Sequence, residues 1–310
     1  MRAFWTSPSR RSLFALAGAT ALAGPVPARA TPRDVTRPKD VAALEDLAAL
    51  EARPGITRVG VAAMDLASGA RLAHRADERF AMCSSFKWVL AALVLQRVDR
   101  GEESLERRVP FAPGDLVTYS PATEKAVESG GMGVADLCAA AVRLSDNTAA
   151  NLLLATLGGP AGFTDGVRAA GDTVTRLDRW ELDLNTFVPG DPRDTSSPDA
   201  MLGLMRRFLF GAALSPASRD RLRGWMIGAR TGLRRLRAGL PADWIVGDKT
   251  GTNTTNSSND VAFVLPSGNE ASAAGPLLIV SFLNAHEPLA PDTDAVHAAV
   301  AREVIRVLRA

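Results

Sequence analysis

Apolar residues recur along this chain with two periods, and the switch between them divides it into regions. Val41, Leu44, Leu47 and Leu50 follow helical spacing and predict an amphipathic helix. Thr57–Asp65 then reads as a strand, Ala67-Ser68-Gly69 as a hairpin turn, and Arg71–His74 as a returning strand. Trp88 to Val98 is almost continuously apolar. A helix apolar on every side is a buried one, so the Ser84–Lys87 segment opens a central core helix. Helical patterns recur at Val134–Arg143, Asn147–Leu157, Pro198–Phe210 and Pro216–Met226. Residues 159–196 are polar and rich in Gly, Pro and Asp, too long a stretch for a simple connector, and read as a functional loop. Strand patterns return at Trp244–Gly247, Val261–Leu265 and Leu277–Leu283, and an amphipathic helix, Ala295–Leu308, closes the chain.

Strands therefore fall at both ends, with helices between them. This predicts an α+β fold: an antiparallel sheet flanked by helices, built from the N- and C-terminal segments, with an inserted all-helical lobe. The α/β lobe covers 40–75 and 236–310, the helical lobe 76–235, and a site belongs between them. Composition changes little in this picture: 46% hydrophobic residues suit a soluble globular protein, and the length allows one large domain or two, with 31–310 expected as the domain that follows the leader.

Charge changes more. The formal net charge of +2 is misleading, because residues 1–30 hold four arginines (Arg2, Arg10, Arg11, Arg29) and no acids. Without them the chain carries −2, so there is no nucleic-acid footprint. Residues 1–30 read as an export signal: Ser9-Arg10-Arg11-Ser12-Leu13-Phe14 resembles the twin-arginine consensus, a short apolar stretch follows, and Ala28-Arg29-Ala30 suits cleavage. A Sec signal with two chance arginines is the alternative. No segment is long enough for stable membrane insertion. The expected protein is periplasmic, delivered by the export machinery, and a monomer. Of two cysteines, Cys83 and Cys138, both read as free and buried thiols. His74, His286 and His297 lack neighbours at metal-ligand spacing, so neither metal nor other cofactor is expected.

Three short motifs carry the chemistry. Ser84-Ser85-Phe86-Lys87 sets a hydroxyl and an amine three residues apart, about 4.5 Å along a helix axis and on one face. A serine is a poor nucleophile until a base takes its proton. Lysine becomes that base only if burial and a second cation, such as Lys249, lower its pKa. Ser145-Asp146-Asn147 lies between two predicted helices, where Ser145 can pass a proton to a leaving nitrogen and Asn147 can hold a substrate amide. Taken by itself, that tripeptide is better explained as a plain helix N-cap. Lys249-Thr250-Gly251 closes a predicted strand: lysine and threonine suit a carboxylate, and glycine lets a backbone approach. The N–H groups of Ser84 and Thr252 can form an oxyanion hole, each donor worth about 2.7–4 kcal/mol in the transition state. Each motif is weak alone; all three in order are not.

With these residues the chain resembles the class A β-lactamases, whose S-x-x-K, S-D-N and K-T-G motifs it matches from about residue 40 to the end. Tyr119, within Asp115–Pro121, resembles the aromatic gatekeeper of that family, and Arg179-Trp180-Glu181 through Asn185 its omega loop. The resemblance implies roles: Ser84 as the acylated nucleophile, Lys87 its partner, Ser145 a proton shuttle and Asn147 a substrate contact. Glu181 matches the base that activates the deacylating water, Asn185 the residue orienting that water, and Asn151 a residue bonded to the glutamate. Arg179 and Asp194 match an ion pair tying the loop ends. Either Lys87 or Glu181 can serve as the acylation base. Where relatives place a carboxylate-binding arginine on a late strand, this chain reads Ser257-Ser258-Asn259-Asp260. Arg235, rather than Arg234, is expected to replace it. Cys83 lacks the partner cysteine that carbapenem-hydrolysing members carry after K-T-G, and Ala91 stands where a partner of Cys138 is found in others. The implied substrates are β-lactam antibiotics. A cell-wall peptidase would share the motifs but lack Glu181 with Asn185, and a lactam sensor would adjoin a membrane span.

Overall fold

The structure is a computed structural model, and it describes residues 45–267, 275–286, 288–289 and 292–309. Five antiparallel strands form one sheet: β1 (Ile56–Asp65), β2 (Arg71–His74), β3 (Ile245–Thr252), β4 (Ser257–Leu265) and β5 (Leu277–Ala285). Their order is β2-β1-β5-β4-β3. The ends of the chain meet at β1 and β5, where Val61 faces Ser281 and Ala63 faces Ile279. The β1–β2 hairpin turns through Gly69, whose φ of 72° lies in the left-handed region that glycine enters without strain.

Both faces of this sheet are covered, which is why its strands read as apolar runs rather than alternating ones. On β4, Val261 and Phe263 enter the core shared with the helical region, while Ala262 and Val264 enter a second core on the other face. That second core is closed by α7 (Thr293–Leu308), through Val296, Val300 and Val304, and by Leu47 and Leu50 of the first helix and the turn that follows it. Residues 45–49 of that helix are described; its start lies outside the described residues, as does the leader.

The helical region supplies α1 (Lys87–Asp99), α2 (Val134–Arg143), α3 (Asn147–Leu157), α4 (Gly159–Ala169), α5 (Pro198–Met205) and α6 (Pro216–Ile227). As the apolar run implied, α1 is central: Trp88 through Leu95 are all buried. The same region carries two short ladders, Phe80–Ala81 with Thr195–Ser196 and Arg108–Val109 with Met132–Gly133.

One expectation needs correction. Residues 159–196 are not all loop, because α4 occupies the first eleven. Its glycines disguised it: a Cβ at Gly166 would collide with Leu93 of α1, and one at Gly162 with the Leu157 carbonyl. Glycine there serves close packing, while Phe163 and Val167, four residues apart, supply the buried stripe. The loop proper is correspondingly shorter.

Candidate active site

The site forms where the start of α1, the start of α3, the 176–194 loop and the end of β3 converge. Cys83–Phe86 is a 3₁₀ turn running directly into α1, so Ser84 sits one turn ahead of Lys87. Two devices fix this turn against the sheet. Asn259 on β4 donates from Nδ2 to the carbonyls of Ala81 (2.7 Å) and Met82 (3.0 Å). Gly251 on β3 lies so close that an added Cβ would collide with the Met82 carbonyl and stand 2.8 Å from the Ser85 nitrogen. Only glycine fits there. Its contact also sets β3 beside the Ser84 backbone nitrogen, 3.2 Å from where that Cβ would be.

The Ser145-Asp146-Asn147 tripeptide splits its labour. Asp146 is the N-cap of α3, accepting from the Ala149 nitrogen at 2.8 Å, and it also takes the Ala122 and Thr123 nitrogens and the Thr123 hydroxyl. The helix-cap reading is therefore correct for Asp146. Its neighbours are displayed by that cap, with Ser145 at φ 60°. Asn147 donates from Nδ2 to the Thr118 carbonyl at 2.8 Å and accepts Lys87 Nζ at Oδ1.

Lys87 is fully buried. Its Nζ donates to the Ser145 carbonyl (2.9 Å) and lies 2.9 Å from Glu181 Oε1. Ser84 Oγ donates to the same carboxylate oxygen at 3.3 Å. Burial lowers the Lys87 pKa, and the Glu181 carboxylate opposes that shift. Glu181 is held at both ends. Asn151 of α3 brackets its backbone, donating to the Glu181 carbonyl and accepting its N–H, each at 3.0 Å. Asn185 Nδ2 donates to Glu181 Oε2 at 2.6 Å, while Asn185 Oδ1 is buried and without a partner among the described residues. The loop carrying both residues is closed by Arg179 and Asp194, 2.5 Å apart, and Asp194 also accepts the Asp178 and Arg179 backbone nitrogens.

The opposite wall is β3. Lys249 is also fully buried, and its Nζ donates to Ser145 Oγ at 3.0 Å. Among the described residues no carboxylate pairs with it. Burial, reinforced by the Lys87 charge, lowers its pKa to about 7. Thr250 Oγ1 donates to Thr231 Oγ1 at 2.6 Å. The two arginines weighed in sequence separate cleanly. The Arg234 side chain is 87% exposed, whereas Arg235 is buried and lines the cleft. Arg235 is anchored by Asp294 (2.8 Å), the Asn259 carbonyl (2.8 Å) and Thr252 Oγ1 (2.8 Å).

Between these walls lies a cleft of about 960 Å³, lined by Ser84, Tyr119, Ser145, Asn147, Asn185 and Thr252 among others. Tyr119, 57% exposed, stands at its mouth. Of the site residues read from sequence, Ser84, Tyr119, Ser145, Asn147, Asn185, Arg235, Thr250 and Thr252 line this cavity, while Lys87, Glu181 and Lys249 are buried behind its wall. A second hollow, about 830 Å³, is lined by Asp172, Ser197, Arg206 and Arg207 and holds none of them. Both cysteines are free and buried, and burial pushes the Cys83 thiol up to about 12, which removes it as a competing nucleophile. Two residues escaped the sequence reading. Asn259 anchors the nucleophile turn, and Asn253 reaches from the β3–β4 turn to the Asn185 carbonyl at 3.0 Å. A polar run opening an otherwise apolar strand was the available signal for the first.

Known proteins resemble this chain in sequence and in fold. The model of the β-lactamase enzyme family matches residues 41–308. The carbapenem-hydrolysing β-lactamase KPC of Klebsiella oxytoca is 47% identical over 245 residues, 79% of this chain and 82% of that protein. β-Lactamase AST-1 of Nocardia asteroides is 44% identical over 251 residues, 81% of this chain and 79% of that one. The structure of an ancestral class A β-lactamase superposes with a TM-score of 0.80 at 54% identity, covering 85% of this chain and 98% of the other.

Proposed function

The chain belongs to the class A β-lactamase family, and from that membership and the cleft geometry we propose that it hydrolyses β-lactams through an acyl-enzyme on Ser84, released by water that Glu181 activates. The observation carrying this reading is the single oxygen, Glu181 Oε1, that touches both Ser84 Oγ and Lys87 Nζ. The proton leaving Ser84 enters the Lys87–Glu181 pair whichever member first accepts it. Ser84 Oγ then bonds to the lactam carbonyl carbon, and the Ser84 and Thr252 N–H groups stabilise the oxyanion. Ser145 Oγ already accepts from Lys249, so its own proton is free to go to the departing ring nitrogen as the C–N bond breaks.

Deacylation uses the other end of the glutamate. Asn185 Nδ2 holds Oε2, and the unpartnered Asn185 Oδ1 suits a water bound beside the carboxylate. Glu181 takes a proton from that water as its oxygen bonds to the ester carbonyl carbon; the bond from that carbon to Ser84 Oγ then breaks, and Ser84 regains its proton from the Lys87–Glu181 pair. Lys249, Thr250 and Arg235 receive the substrate carboxylate, Asn147 its side-chain amide, and Tyr119 borders the mouth. Gly251 keeps the strand against the nucleophile, while Asn151, Arg179 and Asp194 hold the glutamate loop.

The test is Glu181→Ala. Acylation persists, at parental or reduced rate, and mass spectrometry of the variant with a penicillin finds a long-lived adduct on Ser84. Turnover at the parental rate overturns the role of Glu181. Stable penicilloylation of the parent protein itself, without nitrocefin turnover, moves it to the peptidases.

The same reading assigns residues 1–30 to a leader cleaved after Ala30 and recognised by the twin-arginine machinery, with 31–310 acting as a periplasmic monomer. Among the described residues no helix is long and apolar enough to cross a membrane. Changing Arg10 and Arg11 to Lys, followed by fractionation, tests the route.

A further inference from the structure

Two arginines line the cleft wall formed by β3 and residues 228–235, with Lys249 buried behind them, and the three cations differ in what they already hold. Lys249 donates to Ser145 Oγ and the Thr250 carbonyl. Arg235 is tied to Asp294, the Asn259 carbonyl and Thr252. Arg230 also lines the cleft and is exposed, yet its guanidinium has no hydrogen bond or ion pair among the described residues. Its backbone is nonetheless fixed: the Arg230 nitrogen donates to the Arg143 carbonyl at 3.1 Å, and the next residue, Thr231, accepts the Thr250 hydroxyl. Arg143 shares an adjoining hollow with Arg230, and its Nε donates only to the Gly228 carbonyl, at 3.4 Å. Asp136 borders that hollow, and no ion pair between it and either arginine is found among the described residues. An anchored backbone thus presents an unsatisfied cation at the end of the cleft.

The position matters because of substrate shape. Resting on the proposed function, the ring carboxylate sits at Lys249, Thr250 and Arg235. The substituent on the neighbouring ring carbon leaves from the same end, and the Thr250–Thr231 bond sets Arg230 one residue from that seat. We propose that Arg230 is a second anion contact, selecting β-lactams that carry an additional acid on the ring substituent adjacent to the ring carboxylate.

The test compares two cephalosporins with the same mandelamido side chain. One bears a methyltetrazolylthiomethyl arm at C3, the other a sulfomethyltetrazolylthiomethyl arm, so they differ by one sulfonate. In Arg230→Ala, kcat/KM for the sulfonate falls about three- to fivefold, the scale of a solvent-exposed ion pair, while its uncharged counterpart stays within about twofold. Arg230→Glu deepens the selective loss to about tenfold or more by adding like-charge repulsion, and Arg230→Lys restores most of it. Raising the ionic strength narrows the gap between parent and Arg230→Ala. Equal losses on both compounds, or none on the sulfonate, overturn the subsite. Failure of the parent to open both compounds overturns the subsite, and failure to turn over nitrocefin as well removes the proposed function on which the subsite rests.

Discussion

The two walls of the cleft each contain a fully buried lysine, and they treat it oppositely. On the helical wall Lys87 meets a carboxylate at 2.9 Å and two further acceptors. Its charge is compensated inside the protein, and the group is equipped to trade protons with Ser84 and Glu181. On the sheet wall Lys249 is left with a hydroxyl and a carbonyl, no acid among the described residues pairs with it, and its pKa drops to about 7. A buried cation without its counter-charge is costly alone and relieved by an incoming anion. On the proposed function, the contrast is a division of labour: the helical wall would perform bond-making, and the sheet wall would wait for substrate to complete its electrostatics.

The hardest blow to that contrast is Lys87→Ala. Loss of a proton-transfer partner from the helical wall lowers kcat/KM by about 10³-fold, within the usual range for general acid–base groups. Stopped-flow acylation with nitrocefin measures it, and a loss below tenfold erases the distinction between the walls. Next comes Arg235→Ala on the sheet wall. Removing a charge-assisted contact to the substrate carboxylate raises KM about 10- to 100-fold and leaves kcat within about threefold. Steady-state kinetics on a penicillin decide it, and a kcat loss matching the KM rise means that the sheet wall shares in the chemistry.

The smallest effect comes from pH. Free Lys249 loses its proton above about pH 7, pushed by burial and Lys87 against the opposing Asp248, Glu181 and Asp260 charges. Bound carboxylate favours the ammonium and raises that pKa. Hence kcat/KM, which reports the free enzyme, declines by roughly tenfold from pH 7 to 8.5, following the protonated fraction of Lys249, while kcat, which reports the complex, stays flatter. Parallel profiles for the two constants contradict the idea that substrate completes the wall.

The same contrast explains what the sequence made legible. Helices α2 and α3 match their expected bounds because their apolar residues sit at helical spacing, and α3 is also bounded by the Asp146 cap and by Gly158 in the left-handed region. Strand β3 was expected only over Trp244–Gly247 but runs to Thr252, and β4 was expected from Val261 but begins at Ser257. The missing residues, Asp248 to Thr252 and Ser257 to Asp260, are polar, so periodicity reads them as loop. Yet Asp248, Lys249 and Ser257 through Asp260 are wholly buried, since they build the site and its support. Strand ends that serve function break the hydrophobic pattern that reveals strands. Motif chemistry recovered Lys249, Thr250 and Gly251, but Asn259 has no motif and stayed hidden. Helix α4 was lost for a packing reason: its glycines, read as loop residues, allow α1 and the preceding turn to come close.

The pairing of β1 with β5 carries a temporal consequence. As the polypeptide emerges from the ribosome, Ile56–Asp65 must await Leu277–Ala285 before its inner edge finds a ladder partner. More than two hundred residues separate these mates, so closure of the sheet is among the last events of folding. Until then an apolar ribbon stays available to chaperones and to aggregation. Nascent copies interrupted before the fifth strand hold Ser84, Lys87 and Glu181 but lack the central span that joins the two halves of the sheet.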